Sequence, residues 1–520
     1  MSSKKNSKKL FENEGSSSKK NSYIYYDVII IGGGLGGLYT MYKLTQKNPE
    51  LKILLLEKEK KLGGRISTYK DSYMTLEEGA GRFSDNHYLF IELLKDLKLT
   101  YKTQKIGGNA VFIPSGSHGK EMTLNDSINK KNPSFLEALT DPLLHYGLEL
   151  LFDKASLPCT RLIAKVVLES KFDSKEVLQN VTFLQYAKKV LEPHQIEFIW
   201  DCFGYSNELY IMNAYDCISL LNTLSPMNQF FSLRGGFYQV IEKMVEVIQK
   251  NKNSIILNGK KVNGIVSIGQ DGYKDKGSSY DSLSKPFYSQ EGKFLIKVCN
   301  DNNDNNDNND NNDNNDNNDN DDNDDFKKSY VCNKVICALP KEALTKLRIL
   351  DPIQKRLIDK VNSGSLCRIY SRFEKDATGK FWFQDLPKFT TNNPLRMVIP
   401  YNKDSGVIMI SYSDGEFANS WWRLYKEKGV VALEQKIKEF IQDSTGIVIP
   451  KPKSTRVFYW KYGVGYWGLG ADSEIVANKI IQPFPDMDLF ICGENYSYKF
   501  QQWMEGALET SSQILDMICD

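Results

Sequence analysis

Histidine is scarce in this 520-residue chain, which has only His87, His118, His145 and His194. Their spacing matches no metal-ligand pattern, so a histidine-built metal centre is not expected. The nine cysteines, Cys159, Cys202, Cys217, Cys299, Cys332, Cys337, Cys367, Cys492 and Cys519, include no Cys-x-x-Cys pair. That argues against a zinc site or a redox dithiol and predicts buried free thiols. No apolar run approaches the ~18 residues needed to cross a bilayer. Charge of one sign is also missing, with a formal net charge of +2, so composition makes no case for nucleic acid. The basic stretch carrying Lys4, Lys5, Lys8, Lys9, Lys19 and Lys20 is followed by no apolar segment, unlike a secretory signal. A disordered tail over residues 1–22 is expected, with nuclear import or polyanion binding as the alternative. The expected location is intracellular and cytoplasmic, with a viral particle or the nucleus as the alternative.

The remaining composition, 41% hydrophobic and 25% charged, suits a large globular core of two or three domains. Residues 300–325 contain only Asn and Asp and cannot bury a core, so they should be disordered. Calcium binding is the sharper alternative, but the run lacks the glycine and glutamate of an EF-hand loop. Strand patterns flank it, at residues 293–298 and 329–338, which predicts an expanded surface connection inside one domain. Residues 269–290 read as a further loop. Apolar spacing of three and four predicts helices within 135–225, notably 136–151 and 196–209, and again at 431–443. Residues 365–415 read as strands, one of them ending at Pro400.

The motif with the clearest chemistry is Gly32-Gly33-Gly34-Leu35-Gly36-Gly37. It follows the strand Val28-Ile29-Ile30-Ile31 and precedes a helical run through Leu38, Met41 and Leu44. Gly32, Gly34 and Gly37 fit the pattern that lets backbone approach a pyrophosphate at a helix N-terminus. A second apolar strand ends at Glu57, about 20 residues further on, where an acid can accept the ribose hydroxyls. Lys61-Leu62-Gly63-Gly64-Arg65 follows closely. Further along stand Gly79-Ala80-Gly81-Arg82, Leu233-Arg234-Gly235-Gly236, a strand pair ending in Val262, Cys337-Ala338-Leu339-Pro340, and Gly493-Glu494 before Gln502-Trp503-Met504.

In this order the motifs resemble the flavin amine oxidase superfamily over residues 24–520, apart from the Asn/Asp run. The resemblance implies an α/β protein: a discontinuous Rossmann-type FAD-binding domain with an α+β substrate-binding domain. The expected FAD-binding segments are 23–100, 230–345 and 456–520. The expected substrate-domain segments are 101–229, helical, and 346–455. It also implies that Gly32, Gly34, Gly36, Gly37, Glu57, Arg65, Gly79, Ala80, Gly81, Arg82, Val262, Gly493, Glu494 and Met504 contact FAD. Gly465 stands where monoamine oxidases carry their flavin-linking cysteine, so the FAD should be non-covalent.

For catalysis the resemblance points to Tyr466 and Trp503 as an aromatic pair flanking an amine, with core packing as the ordinary alternative. Arg82 resembles the arginine with which L-amino acid oxidases hold the substrate carboxylate; a structural ion pair beside FAD is the alternative. Two positions depart from the pattern. Arg368 stands at the apparent place of a lysine near flavin N5, and Gln502 stands where a glycine usually precedes the aromatic. The expected activity is oxidative deamination of a small amine or L-amino acid with O2 as acceptor, giving H2O2. An FAD-dependent desaturase, a protoporphyrinogen oxidase-like enzyme, or a flavoprotein with a binding role are the alternatives.

Overall fold

The structure is a computed structural model that describes residues 23–107, 110–122, 157–223, 228–268, 293–299, 328–347 and 349–519. The expectations for 1–22, 136–151, 269–290 and 300–325 lie outside these residues.

Four consecutive β-branched residues leave the second half of the strand Ile24–Ile31 without a polar face, and it is buried from Val28 onward. Such a strand belongs in the middle of a sheet covered on both sides. It pairs in parallel with Ile53–Leu56 on one edge and Lys328–Cys337 on the other. Ser254–Leu257 and Leu489–Ile491 extend the parallel sheet outward. The first half of Lys328–Cys337 also pairs antiparallel with Phe294–Cys299, which pairs with Lys261–Ser267. The Asn/Asp run therefore joins two strands of one hairpin, with Val298 opposite Lys328. Helices Leu35–Lys47, Tyr238–Ile248 and Met504–Cys519 cover one face and share one apolar cluster.

A second sheet has six strands in the order Ser454–Trp467, Val361–Arg372, Val407–Asp414, Met397–Asn402, Phe389–Thr390 and Val111–Phe112. Short helices between Thr160 and Thr223 pack into one cluster that also takes in Tyr466 and Trp503. Eight of the nine cysteines are buried and all nine are free. Among the described residues no helix is long and apolar enough to cross a membrane, and no metal-binding group of side chains occurs.

Two local expectations need correction. The strand reaching Pro400 continues to Asn402. Its register slips between Ile399 and Asn402, so the missing proline N–H falls in an irregular part of the ladder. The pattern over 196–209 is two helices, Pro193–Phe203 and Asn207–Tyr210, because Gly204 adopts φ +88° and ends the first. The helical reading of 431–443 holds: these residues are the second half of Gly415–Thr445, which kinks at Gly429 (φ +75°).

Candidate active site

The glycine turn is shaped by close approach. Gly32 has φ +106°, and a Cβ there would lie 2.4 Å from the Ala338 carbonyl oxygen. A Cβ on Gly37 would lie 2.1 Å from the Gly32 carbonyl oxygen. Gly34 differs, since nothing lies within 4 Å of the Cβ it lacks. It is the N-cap of Leu35–Lys47, where no side chain caps the free N–H groups and no acid occupies the first turn. The positive end of that helix therefore faces open space beside bare backbone, the arrangement that receives a phosphate. Gly36 instead faces the last helix, and Ser511 Oγ donates to its carbonyl at 3.1 Å.

Glu57 closes the turn from below. One carboxylate oxygen accepts from Gly33 N–H at 2.6 Å and the other from Glu59 N–H at 2.8 Å. Burial pushes its pKa up. Each oxygen keeps a lone pair for a hydroxyl. Gly63 N–H donates to the Gly33 carbonyl at 2.8 Å, which ties the Gly-Gly-Arg segment to the turn. Val262 lies half-buried on Lys261–Ser267, at the antiparallel edge of this sheet.

Arg65 forms an ion pair with Glu494 and donates to the Gly463 carbonyl at 2.9 Å. The second Glu494 oxygen accepts from Gln502 N–H at 2.8 Å. Glu494 thus ties the Gly-Gly-Arg segment to the start of the last helix, and Gly493 reaches it with φ +143°. Gln502 has φ +70°, a left-handed conformation that glycine adopts at least cost. Met504 is buried at the start of the last helix. Ala80 N–H donates to the Arg65 carbonyl at 3.0 Å, and a Cβ on Gly79 would lie 2.0 Å from that oxygen. Gly81 leaves room for Arg368, whose Nη1 would be 3.0 Å from its Cβ.

Arg368 lies on Val361–Arg372 and donates from Nη1 to the Glu77 carbonyl at 3.2 Å. Its guanidinium carbon sits 4.7 Å from the Tyr412 ring centre. Being a guanidinium, it stays charged at neutral pH. Arg82 sits over two stacked rings, 4.9 Å from the centre of Phe230 and 5.4 Å from that of Trp503. His87 meets Trp503 edge-on at 4.9 Å. Burial and the Arg82 cation push His87 down to about 4, so its ring is neutral at pH 7. Tyr466 is buried on Ser454–Trp467. A Cβ on Gly364 would lie 2.5 Å from both the Tyr466 ring and Asn207 Nδ2. Among the described residues no direct ring contact joins Tyr466 to Trp503.

Sequence reasoning missed Phe230, His87, Glu208 and Asp414. Asp414 accepts from Ser206 N–H at 2.9 Å, Ser206 Oγ at 2.8 Å and Asn207 N–H at 2.7 Å. Glu208 is buried beside it with one oxygen unpartnered. Burial and then the Asp414 charge push the Glu208 carboxyl up to about 8. No local pattern in the sequence marks these residues, because they converge only through tertiary packing.

The cradle fits a dinucleotide through its bare Gly34 backbone, uncapped helix end and Glu57. Residues 30–97 match the NAD(P)-binding Rossmann-like domain family. Coproporphyrinogen III oxidase of Staphylococcus aureus is 34% identical over 100 residues, which cover 17% of this chain and 21% of that protein. The mitochondrial L-2-hydroxyglutarate dehydrogenase of Dictyostelium discoideum is 48% identical over 44 residues, 8% of this chain and 10% of that protein. The chain thus spans about a fifth or less of these two curated relatives. Solved structures match over far more. Putrescine oxidase bound to putrescine superposes with a TM-score of 0.63 at 15% identity, covering 96% of this chain and 100% of that one. A candidate protoporphyrinogen oxidase of Exiguobacterium sp. 255-15 gives a TM-score of 0.60 at 14% identity, covering 96% and 99%. The fold is α/β, with a Rossmann-like dinucleotide domain and the two-domain architecture of these oxidases.

Proposed function

We propose that this chain binds FAD non-covalently and is an FAD-dependent oxidoreductase that oxidatively deaminates a small amine or L-amino acid, with O2 as acceptor. The observation that carries the reading is the open backbone at Gly34 before an uncapped helix end, with Glu57 directly beneath it. When bound, the flavin supplies the two-electron acceptor, so the chain needs no acid–base dyad of its own.

The remaining roles belong to the protein. The first N–H groups of Leu35–Lys47 hold the pyrophosphate, and Glu57 takes the ribose hydroxyls. Arg65 and Glu494 lock the Gly-Gly-Arg segment to the C-terminal motif, so the two ends of the sequence close on one ligand. Arg368, fixed by Glu77 and Tyr412, adds positive charge beside Gly81. It cannot exchange a proton near neutral pH, which sets it apart from a lysine. Tyr466 and Trp503 supply aromatic surface to the substrate, and His87 stays neutral behind Trp503. At Gly465 a Cβ would lie 2.9 Å from the Asn495 Cα, so a flavin-linking side chain has no room there. Acid precipitation should release the flavin intact; flavin retained on the chain contradicts non-covalent binding.

A second reading, a desaturase or porphyrinogen oxidase, draws support from the local matches to coproporphyrinogen oxidases and from Arg368 in place of a lysine. Anaerobic addition of amines, amino acids and a porphyrinogen separates the two. Bleaching by an amine or amino acid, with peroxide formed once air is readmitted, supports deamination. Bleaching by the porphyrinogen alone supports the second reading.

A further inference from the structure

Among the described residues four besides glycine hold a left-handed backbone: Lys98, His118, Arg396 and Gln502. Lys98 and His118 are exposed in surface turns. Such a backbone is costly for a residue with a Cβ, so inside the protein it implies compensation. At Arg396 (φ +56°) the compensation is visible. Its guanidinium donates to the carbonyls of Trp200 at 2.7 Å, Thr391 at 3.2 Å and Asp201 at 3.4 Å. At Gln502 (φ +70°) it is missing: the side-chain Nε2 is buried and no described residue accepts from it.

The preceding residue shows what a structural glutamine does on the same turn. Gln501 Oε1 accepts from Trp467 N–H at 2.9 Å, and its Nε2 donates to the Asn495 carbonyl at 2.7 Å. Both ends of that amide are spent inside the protein. Gln502 has its backbone fixed and its side chain left over. Its N–H donates to Glu494 Oε2 at 2.8 Å, and the same oxygen accepts from Gly465 N–H at 3.5 Å. The other Glu494 oxygen takes Arg65, whose Nη1 also donates to the Gly463 carbonyl at 2.9 Å. The Gly-Gly-Arg segment, the strand at Gly463 and Gly465, and the Gly493-Glu494 turn therefore meet at the residue that carries the unmatched amide. Trp503 Nε1, one residue on, is buried without an acceptor as well. A buried donor without a partner is costly, and it is retained where a ligand brings the acceptor. A flavin brings several, along the carbonyl edge of its ring system.

Resting on the flavin-oxidoreductase reading above, we infer that the Gln502 side-chain amide donates a hydrogen bond to the carbonyl edge of the bound flavin and raises its reduction potential. Reduction adds negative charge to that edge, and a fixed donor beside it favours the reduced form. The left-handed backbone is then the cost of aiming the amide, and the flavin supplies the compensation that carbonyls supply at Arg396.

The test is the midpoint potential of the flavin in the purified full-length protein, measured by equilibration with a reference dye, for the natural chain, Gln502→Gly and Gln502→Met. Neither variant has the amide. Glycine relaxes the backbone, whereas methionine keeps its left-handed strain. Both should therefore lower the potential alike, by about 30 mV, which is a tenfold shift in a two-electron reduction equilibrium. An unchanged or higher potential in both variants overturns the inference. A lower potential in the methionine variant alone assigns the effect to the backbone and overturns it too. Should Gln502→Met fail to fold, Gln502→Gly decides the matter, because it relieves the turn. Flavin content, read from the visible spectrum before each titration, tests the underlying reading separately. A natural protein without flavin defeats that reading, whereas flavin present with an unmoved potential defeats the Gln502 inference alone.

Discussion

The dinucleotide cradle and the chamber around Arg82 settle their polar groups in opposite ways. In the cradle the internal accounts close: Glu57 bonds two backbone N–H groups, Gly63 ties to Gly33, and Arg65 pairs with Glu494. What stays open is backbone, at Gly34 and the helix end. Around Arg82, among the described residues, side chains stay open: Arg82 forms no ion pair, Glu208 leaves an oxygen unpartnered, and Gln502 Nε2 and Trp503 Nε1 are buried without partners. A site that binds one invariant ligand can be built from backbone and short loops. A site whose ligand supplies the missing partners is stable only because burial and packing hold unmatched groups in place.

This contrast can be broken at several points. The largest effect is expected at Gly37→Val, because even a Cβ would meet the Gly32 carbonyl at 2.1 Å. Flavin retained through purification should fall by about tenfold or more; flavin kept at the natural ratio places the cofactor elsewhere. Next is Glu494→Gln, which leaves Arg65 without its charge partner. The part-exposed arginine limits the cost to about 1–3 kcal/mol, visible as a lower apparent melting temperature. An unchanged melting temperature removes the pair from the account of how the two ends close.

A chamber residue gives a smaller and pH-dependent effect. The folded Glu208 carboxyl is raised from 4.5 to about 8. Between those values the unfolded chain has released its proton and the folded chain has not, so stability falls as pH rises through this window. Glu208→Gln has no proton to lose. Its melting temperature should match the natural protein near pH 4.5 and exceed it by a few degrees at pH 8; parallel curves contradict a protonated Glu208. The smallest change is expected from Gln502→Gly. It relieves a left-handed residue and should alter stability by no more than about 1 kcal/mol. A larger loss would mean that the Gln502 side chain supports the pocket.

The cradle was legible in the sequence because its parts are local. A strand, a glycine turn, a helix and an acid about 20 residues on are a periodicity and a spacing, and the structure brings Gly32, Gly34, Gly37 and Glu57 together around one turn. The Arg65–Glu494 pair was not legible as a contact, since 429 positions separate its members. The chamber was legible only in part. Arg82, Arg368, Tyr466 and Trp503 stand out by resemblance, whereas Glu208 and Asp414 carry no motif. Gly204 and Pro400 show the same limit on a small scale. Apolar spacing runs through the first without a break, and the second stops a strand only where the ladder is regular.

The visible spectrum of the purified protein, recorded before and after anaerobic addition of amines, amino acids and a porphyrinogen, tests the central claim most directly. Flavin bands that acid releases from the chain, and that bleach with an amine or amino acid, are expected. Protein that folds and carries no flavin, and takes up none when FAD is added, would contradict it.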